Sequence, residues 1–310
     1  MSININKAAQ IIKQGGLVAF PTETVYGLGA DASNQQACLN IFHTKGRPSN
    51  NPLIVHVDSI EKAKELVEFN DDAIKLVEFW PGPLTMVLPK KAGAGLADCV
   101  TAGLPTVAIR IPADKTAMEL INSSGCPIAA PSANKSGRLS TTTYQHVKES
   151  FGDDIFILQS YNKTSYGLES TIIDLSTSTP TILRYGFITP DAIKNVLKKE
   201  IAIASTLSEI KAPGMLHKHY APRTKLRLDA INLRDGEVGL NFANSELNTN
   251  GSMNLSKNGD LIEAAANLFD YLHQLDKFAL EHNFTTIAVA KIPDTGVGLA
   301  INDRLRRAAE

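Results

Sequence analysis

Two short segments, Lys45-Gly46-Arg47-Pro48 and Pro131-Ser132-Ala133-Asn134, carry side chains that suit a polyphosphate ligand. Lys45 offers a compact ammonium and Arg47 a planar fork of donors. Ser132 and Asn134 follow the apolar run 127–130. At the end of a strand, two residues spaced in this way point to the same side, where they can hydrogen-bond phosphate oxygens or hydrated Mg²⁺. Together the two segments indicate an enzyme that handles a nucleotide.

Three further polar residues stand beside apolar runs, and each also has an ordinary structural explanation. Thr24 closes the run Thr22-Glu23-Thr24, which is equally a turn capped by hydroxyls. His56 follows a predicted strand, and a lone histidine there is more often structural than catalytic. Arg110 alternates with apolar residues, so it must find a partner, because an unpaired buried charge is costly. A protein carboxylate is the ordinary partner for such an arginine.

The common nucleotide-binding and hydrolase motifs are absent from the sequence. The run 27–32 matches G-x-G-x-x-A, but it does not directly follow its strand and has no acidic residue about 20 positions further on. No Walker A sequence occurs. Ser132 lacks the G-x-S-x-G elbow of a serine hydrolase. If ATP binds, it binds through neither of the common loops.

The positioning elements follow from apolar periodicity and from turn residues. Irregularly alternating strands and helices favour a mixed α/β sheet over residues 1–203, followed by a linker over 204–225 and a small Rossmann-like α/β domain over 226–310. Helices are predicted over 6–14, 35–43, 59–68, 71–79, 114–123, 143–150, 190–198, 259–281 and 298–309. Strands are predicted over 17–20, 53–57, 84–88, 106–111, 127–130, 155–158, 171–175, 181–184, 225–228, 237–242 and 286–290, with a polar loop over 244–258.

Composition and net charge indicate which partners and which cellular compartment to expect for the protein. The chain has 310 residues and a net charge of −1, so no global field attracts nucleic acid, and any weak RNA contact would be local. The basic cluster Arg304-Leu305-Arg306-Arg307 is expected to be a solvated helix face rather than an RNA site. No apolar run approaches the roughly 18 residues of a membrane span, and no signal peptide is recognised, so a cytoplasmic protein is expected.

Cysteine and histidine spacing predicts no metal centre. The three cysteines, Cys38, Cys99 and Cys126, are far apart and should be reduced. His217 and His219 have no further ligands nearby in sequence.

A series of ordered motifs resembles the two-domain form of the threonylcarbamoyl-AMP synthase family, which has a YrdC-like domain. The matching blocks are Leu17–Leu28, Lys45–Arg47, Asn51–Val57, Trp80–Thr85, Thr106–Arg110, Pro131–Asn134, Ser170–Ile172, Leu183–Gly186, Pro213–Met215, His219–Pro222 and Asn302–Arg307.

The resemblance implies a nucleotidyltransferase that makes L-threonylcarbamoyl-AMP from L-threonine, bicarbonate or CO₂, and ATP, with Mg²⁺ bound mainly through phosphates and water. It also implies a downstream transferase complex that modifies tRNA next to the anticodon, and a linker that folds over the cleft as a lid. Lys45 and Arg47 are the implied catalytic residues. The implied ATP contacts are Arg47, Asn51, Thr106, Ser132, Asn134, Ser140, Arg184 and Tyr220. The implied threonine contacts are Thr24, His56, Arg110, Ala130 and Ser170.

Two alternatives remain at this stage. YrdC-like domains also occur in maturation enzymes that form a carbamoyl adenylate, but the chain lacks the acylphosphatase-like and zinc-finger-like segments expected of those. A double-stranded RNA-binding module is the second alternative. The near-neutral charge argues weakly against it, and a steep salt dependence of RNA affinity would support it.

Overall fold

Two β-sheets organise the chain in the computed structural model, which describes residues 2–160, 163–204 and 219–310. The core of the predicted linker, including Pro213-Gly214-Met215 and His217, lies outside the described residues. The first sheet contains β1 (Val18–Phe20), β2 (Gly27–Asp31), β3 (Ile54–His56), β4 (Leu84–Pro89), β5 (Thr106–Arg110), β6 (Ile128–Ala129), β7 (Phe156–Ile157), β8 (Thr171–Asp174), β9 (Thr181–Arg184) and β10 (Ala202–Ile203). The second contains β11 (Lys225–Ala230), β12 (Glu237–Asn241), β13 (Met253–Asn254) and β14 (Thr286–Ala290).

The ten-stranded sheet is mixed and runs in the order β10-β9-β8-β4-β5-β3-β6-β2-β1-β7. At its centre β3 pairs in parallel with β5, which sets His56 opposite Arg110. β6 runs antiparallel to β3, so His56 also faces Ile128. On the other side of β5 lies β4, which pairs in parallel with β8. The predicted fold class, a mixed twisted α/β sheet, is confirmed.

The glycines of 27–31 lie in a strand and are closely packed. This segment is β2, which was not predicted as a strand. A β-carbon on Gly29 would lie 2.6 Å from Cε1 of Phe20 and 2.8 Å from Cγ2 of Ile128. Only glycine fits there without displacing the neighbouring strands. The structure therefore confirms that the G-x-G-x-x-A match is not a dinucleotide fingerprint.

Capped helices cover the sheets. The helices are α1 (Ser2–Lys13), α2 (Gln35–Lys45), α3 (Ile60–Leu66), α4 (Asp71–Leu76), α5 (Asp98–Thr101), α6 (Lys115–Ser124), α7 (Tyr144–Phe151), α8 (Pro190–Leu197), α9 (Leu261–Glu281) and α10 (Gly298–Ala309). The side chain of Asn34 caps α2 by accepting from the amide of Ala37. Gly46 ends the same helix in the left-handed region at φ 61°, a conformation that glycine adopts without strain. This turn sets Arg47 immediately beyond the helix.

The second sheet is parallel, and its order is β11-β14-β12-β13. Its apolar core continues into the first domain, because Val25, Leu139 and Leu168 belong to the same buried cluster as Phe269 of α9. Within residues 2–160, 163–204 and 219–310, no helix has the length and apolar character needed to cross a bilayer.

Predicted elements agree with the structure to within a few residues, and four short ones were missed. Besides β2 these are β10, β13 and α5, which have only two to four residues each and little periodicity to detect. β13 lies within the stretch predicted as a polar loop. The proposed domain boundaries at 203 and 226 stay a prediction.

Candidate functional site

A pocket lies where the central strands of the first sheet end, and His219 and Tyr220, which precede β11, also line it. Three guanidinium groups line it, those of Arg47, Arg110 and Arg184, against the single carboxylate of Glu169 among the described lining residues. This excess of positive charge suits a polyanionic ligand. The remaining lining residues are Thr22, Thr24, Val25, Tyr26, Gly27, Ile54, His56, Ala130, Pro131, Ser132, Ser170, His219 and Tyr220.

Lys45 joins the two segments that first indicated nucleotide chemistry. Its Nζ donates to the main-chain carbonyl oxygens of Ser132 at 2.6 Å and Asn134 at 2.5 Å. Burial lowers the pKa of Lys45 well below its usual value, and the nearby charges of Arg47 and Lys135 lower it further. The structure therefore brings these segments together and fixes the second one through its backbone.

Arg47 is held by the loop that follows it. Its Nε donates to the carbonyl of Asn51 at 3.0 Å and its Nη2 to that of Pro52 at 2.9 Å. Burial lowers the pKa of Arg47 to about 9. The side-chain amide of Asn51 is buried, and neither its nitrogen nor its oxygen has a hydrogen-bond partner in the described part of the chain. A buried amide in this state is suited to a ligand.

Arg110 pairs with a protein carboxylate, as an arginine in a buried strand usually does. Its Nη2 donates to Oε1 of Glu23 at 2.6 Å, its Nη1 to the hydroxyl of Thr24 at 3.0 Å, and its Nε to the carbonyl of Gly82 at 3.1 Å. These bonds use three of the five N–H groups of the guanidinium. Glu23 was not among the predicted site residues. The buried arginine itself indicates that a carboxylate is needed, but it does not specify which one.

His56 is a neutral, buried group facing the pocket. It is 4% exposed and packs edge-on against Phe20. Burial, with a contribution from the charge of Arg110, lowers the pKa of His56 to about 3. Its Nδ1 has no hydrogen-bond partner among the residues that the structure describes. Ala130, directly after β6, also lines the pocket.

Ser170 and Arg184 form the opposite wall. The hydroxyl of Ser170 lies 2.7 Å from that of Thr85. Arg184 donates from Nη2 to the Ser170 hydroxyl and from Nε to its carbonyl, both at 3.1 Å. Two predicted contacts, one for each substrate, therefore share a hydrogen bond.

Glu169 continues this wall of the pocket, and both Ser140 and the second domain reach its carboxylate. The hydroxyl of Ser140 donates to Oε1 of Glu169, and the guanidinium of Arg304 donates from Nε to Oε2 at 2.8 Å. The expectation of a solvated basic cluster is therefore wrong for Arg304, whose side chain is 1% exposed. It is correct for Arg306, which is 60% exposed and pairs with Asp294.

Tyr220 lines the pocket after the undescribed part of the predicted linker. It is 1% exposed and adopts a φ of 65°. Its hydroxyl is buried and has no partner among the described residues. His219 precedes it, and burial lowers the pKa of this histidine to about 3.

Thr106 is a predicted contact that the structure places outside the lining of the pocket. It begins β5, four residues before Arg110. The register of β3 and β5 sets it level with Pro52, near the loop that holds Arg47. The lining also does not include four other predicted residues, Lys45, Asn51, Asn134 and Ser140.

A protein-only metal centre is not found in the described ranges, where no group of three or more His, Cys, Asp or Glu side chains converges. Oxygen donors that fit a hydrated Mg²⁺ are present at the second segment. Oδ1 of Asn134 is buried and has no hydrogen-bond partner in those ranges. The amide nitrogen of the same side chain donates to the carbonyls of Lys135 and Arg138. The hydroxyl of Ser132 lies two residues away.

Comparisons with known proteins agree across the whole chain. Residues 10–186 match a family model described as telomere recombination, and residues 188–310 match one described as the C-terminal domain of threonylcarbamoyl-AMP synthase. The threonylcarbamoyl-AMP synthases of Pyrococcus abyssi and Bacillus subtilis are 39% and 38% identical, over 98% of this chain and 94% and 92% of theirs. The crystal structure of Pyrococcus abyssi Sua5 complexed with L-threonine superimposes with a TM-score of 0.89, covering 98% of this chain and 94% of that one.

Proposed function

The chain belongs to the threonylcarbamoyl-AMP synthase family, and we propose that its pocket condenses L-threonine, bicarbonate or CO₂, and ATP into L-threonylcarbamoyl-AMP with release of pyrophosphate. The observation that carries this proposal is a pocket that combines three arginines with the neutral His56, in a chain similar to these synthases over almost its full length. One solved relative is described as complexed with L-threonine.

The threonine half of the pocket would contain Thr24, His56, Arg110, Ala130 and Ser170. The N–H groups that Arg110 does not use for its protein partners would bind the substrate carboxylate. The unpartnered Nδ1 of His56 would hydrogen-bond a polar group of threonine. These contacts orient the amine toward CO₂, so that a carbamate forms with loss of a proton.

The ATP half would contain Arg47, Asn51, Thr106, Ser132, Asn134, Ser140, Arg184 and Tyr220. A carbamate oxygen attacks the α-phosphorus, an O–P bond forms, and the bond to pyrophosphate breaks. Arg47, which lines the pocket, and Lys45, which holds the second segment, would offset the negative charge that otherwise repels the carbamate. Catalysis would then rest on positioning and charge neutralisation rather than on a protein nucleophile.

Mg²⁺ is the proposed cofactor. Ser132 and Asn134 would hold it through water and the ATP phosphates. When bound, it would supply further neutralisation of the triphosphate.

The proposed product is a mixed anhydride, which needs a second enzyme to consume it. We expect a tRNA threonylcarbamoyl transferase complex to take that role, modifying the adenosine next to the anticodon. Because ATP and tRNA meet there, we expect the enzyme to work in the cytoplasm. The carbamoyl-adenylate and RNA-binding alternatives are less well supported, since whole-length relatives are named as synthases.

The test is pyrophosphate release from ATP with bicarbonate and Mg²⁺, measured with and without L-threonine and with L-serine for comparison. Release that depends on threonine, with serine much poorer, is the expected result. Release indifferent to threonine would redirect the assignment to carbamoyl phosphate. Replacing both Lys45 and Arg47 by alanine should abolish release, and unchanged release would contradict the proposed ATP site.

A further inference from the structure

We propose that Arg304, on the last helix, is a positioning residue for the ATP half of the site and acts through Glu169. The inference rests on the proposed function. It assigns a task in that reaction to a residue of the second domain, whose α10 would otherwise serve only to cover the parallel sheet.

The contacts of Arg304 fix its guanidinium in one orientation. Its Nε donates to Oε2 of Glu169 at 2.8 Å, its Nη2 to the carbonyl of Tyr185 at 2.7 Å, and its Nη1 to Oδ2 of Asp303 at 2.6 Å. Among the fully buried side chains of the described chain, that of Arg304 is the largest. A planar guanidinium that is hydrogen-bonded in three directions fixes the relative positions of its partners, whereas a flexible ammonium would fix them poorly.

Glu169 connects Arg304 to the pocket, which it lines. Its other oxygen accepts from the hydroxyl of Ser140, a predicted ATP contact. Although burial by itself would raise the pKa of Glu169, the positive charges of Arg304 and Arg184 hold it below its usual value. The carboxylate therefore stays ionised and keeps accepting hydrogen bonds.

Tyr220 and Tyr185 provide two further routes from Arg304 to the ATP half. The guanidinium carbon of Arg304 lies 5.2 Å from the centre of the Tyr220 ring, within cation–π distance. Tyr185, whose carbonyl Arg304 binds, directly follows Arg184. Three predicted ATP contacts therefore lie close to Arg304. Ser140 binds its partner Glu169, Arg184 directly precedes its partner Tyr185, and Tyr220 contacts the guanidinium itself.

A purely stabilising ion pair is the competing explanation. Buried pairs are weak evidence for stability, because well-packed apolar replacements are often neutral or better. A stabilising role predicts that a folded variant has normal Michaelis constants. A positioning role predicts a rise in KM for ATP that KM for threonine does not share.

The experiment compares Arg304→Met with Arg306→Met, a control on the same helix whose partner Asp294 is at the surface. Pyrophosphate release is titrated with ATP at saturating threonine and with threonine at saturating ATP, after circular dichroism has verified folding. For Arg304→Met we expect KM for ATP to rise about tenfold or more, and KM for threonine to change less than about threefold. The control should match the wild type.

Two more variants keep the inference testable if Arg304→Met does not fold. Arg304→Lys retains the charge but not the fork, so KM for ATP should rise by a smaller factor. Adding Glu169→Gln to Arg304→Met removes the uncompensated carboxylate and should recover part of the ATP affinity, which is a positive coupling in the double-mutant cycle.

Equal rises in both Michaelis constants, or a normal KM for ATP in a folded Arg304 variant, would overturn the inference. Calorimetric binding of ATP to the same variants gives a readout that needs no turnover. Wild-type protein that binds ATP but releases no pyrophosphate would contradict the proposed function alone. Wild-type affinity for ATP in Arg304→Met would contradict the positioning role alone.

Discussion

At the scale of single residues, buried polar groups divide into those whose partners are in the protein and those that await a ligand. Lys45 belongs to the first group, since two carbonyls hold its ammonium. His56 and Tyr220 belong to the second, since they line the pocket and buried polar atoms of their side chains have no hydrogen-bond partner in the described chain. Unmet hydrogen-bonding capacity is costly in a core. Because several such groups lie at or beside the pocket, we expect a bound substrate to complete their hydrogen bonding.

Replacing Lys45 by alanine should reduce kcat/KM for ATP by about a hundredfold, because a charged donor and the anchor of the second segment are both lost. Lys45→Arg should not rescue activity, since a guanidinium does not fit where two carbonyls lie 2.6 and 2.5 Å from one nitrogen. Lys91→Ala is the matched control, as Lys91 also donates to a backbone carbonyl but at the surface. Steady-state pyrophosphate release gives all three values.

His56 should make folding stability depend on pH. Its pKa is about 3 in the folded protein against an ordinary 6.5. Between these values the unfolded chain takes up a proton that the folded chain does not, so stability falls as the pH falls. From pH 7 to pH 5 the wild type should lose about 2 kcal/mol more than His56→Gln. Urea unfolding at both pH values measures this, and equal losses would mean that His56 is protonated in the folded state.

At the scale of elements, the site depends on how closely the turn after β9 approaches the start of β8. A β-carbon on Gly186 would lie 2.3 Å from the amide nitrogen of Thr171, 2.6 Å from the carbonyl carbon of Ser170 and 2.7 Å from the carbonyl oxygen of Glu169. All three atoms are backbone, so no side chain can move aside. The glycine is therefore required by packing and not by its dihedral angles.

Gly186→Ala should destabilise the protein by about 1–3 kcal/mol, because the added methyl group must push apart two strand ends. The displaced backbone carries Glu169, which accepts a hydrogen bond from Ser140, so KM for ATP should rise as well. Thermal denaturation and ATP titration of pyrophosphate release measure the two effects. A variant with unchanged stability would show that the turn can retreat, and the close packing would then have no role in holding the site.

At the scale of the whole molecule, the two sheets share a core and a buried ion pair. Val25, Leu139 and Leu168 of the first domain pack in the same cluster as Phe269 of the second. Arg304 and Glu169 add a charge pair that would be costly to separate without solvation. Neither part can leave the other without exposing apolar surface and an unpaired charge.

We therefore expect one cooperative unfolding transition. The single tryptophan, Trp80, reports on the first sheet, whereas far-ultraviolet circular dichroism reports on both. The two signals should give the same urea midpoint. A dichroism change that precedes the fluorescence change would mean that the second domain unfolds independently.

The sequence by itself determined the order and type of most elements, and the family resemblance that it carries pointed to nine of the residues that line the pocket. The signals for the elements are local. Periodicity places Ile54–His56 and Thr106–Arg110 as strands, a left-handed glycine ends α2 before Arg47, and polar residues follow apolar runs at strand ends. Such signals act within a few residues, so they can be read before the chain folds.

Only the tertiary structure decided which charges meet. Glu23 pairs with Arg110 across 87 positions of sequence and Glu169 with Arg304 across 135. Neither pairing follows from residue type, because several carboxylates could neutralise each arginine. The strand character of Gly27–Asp31 was likewise hidden, since its glycines are required by Phe20 and Ile128 from other parts of the chain. Partner choice in a core depends on which surfaces come together, and that is a property of the folded chain as a whole.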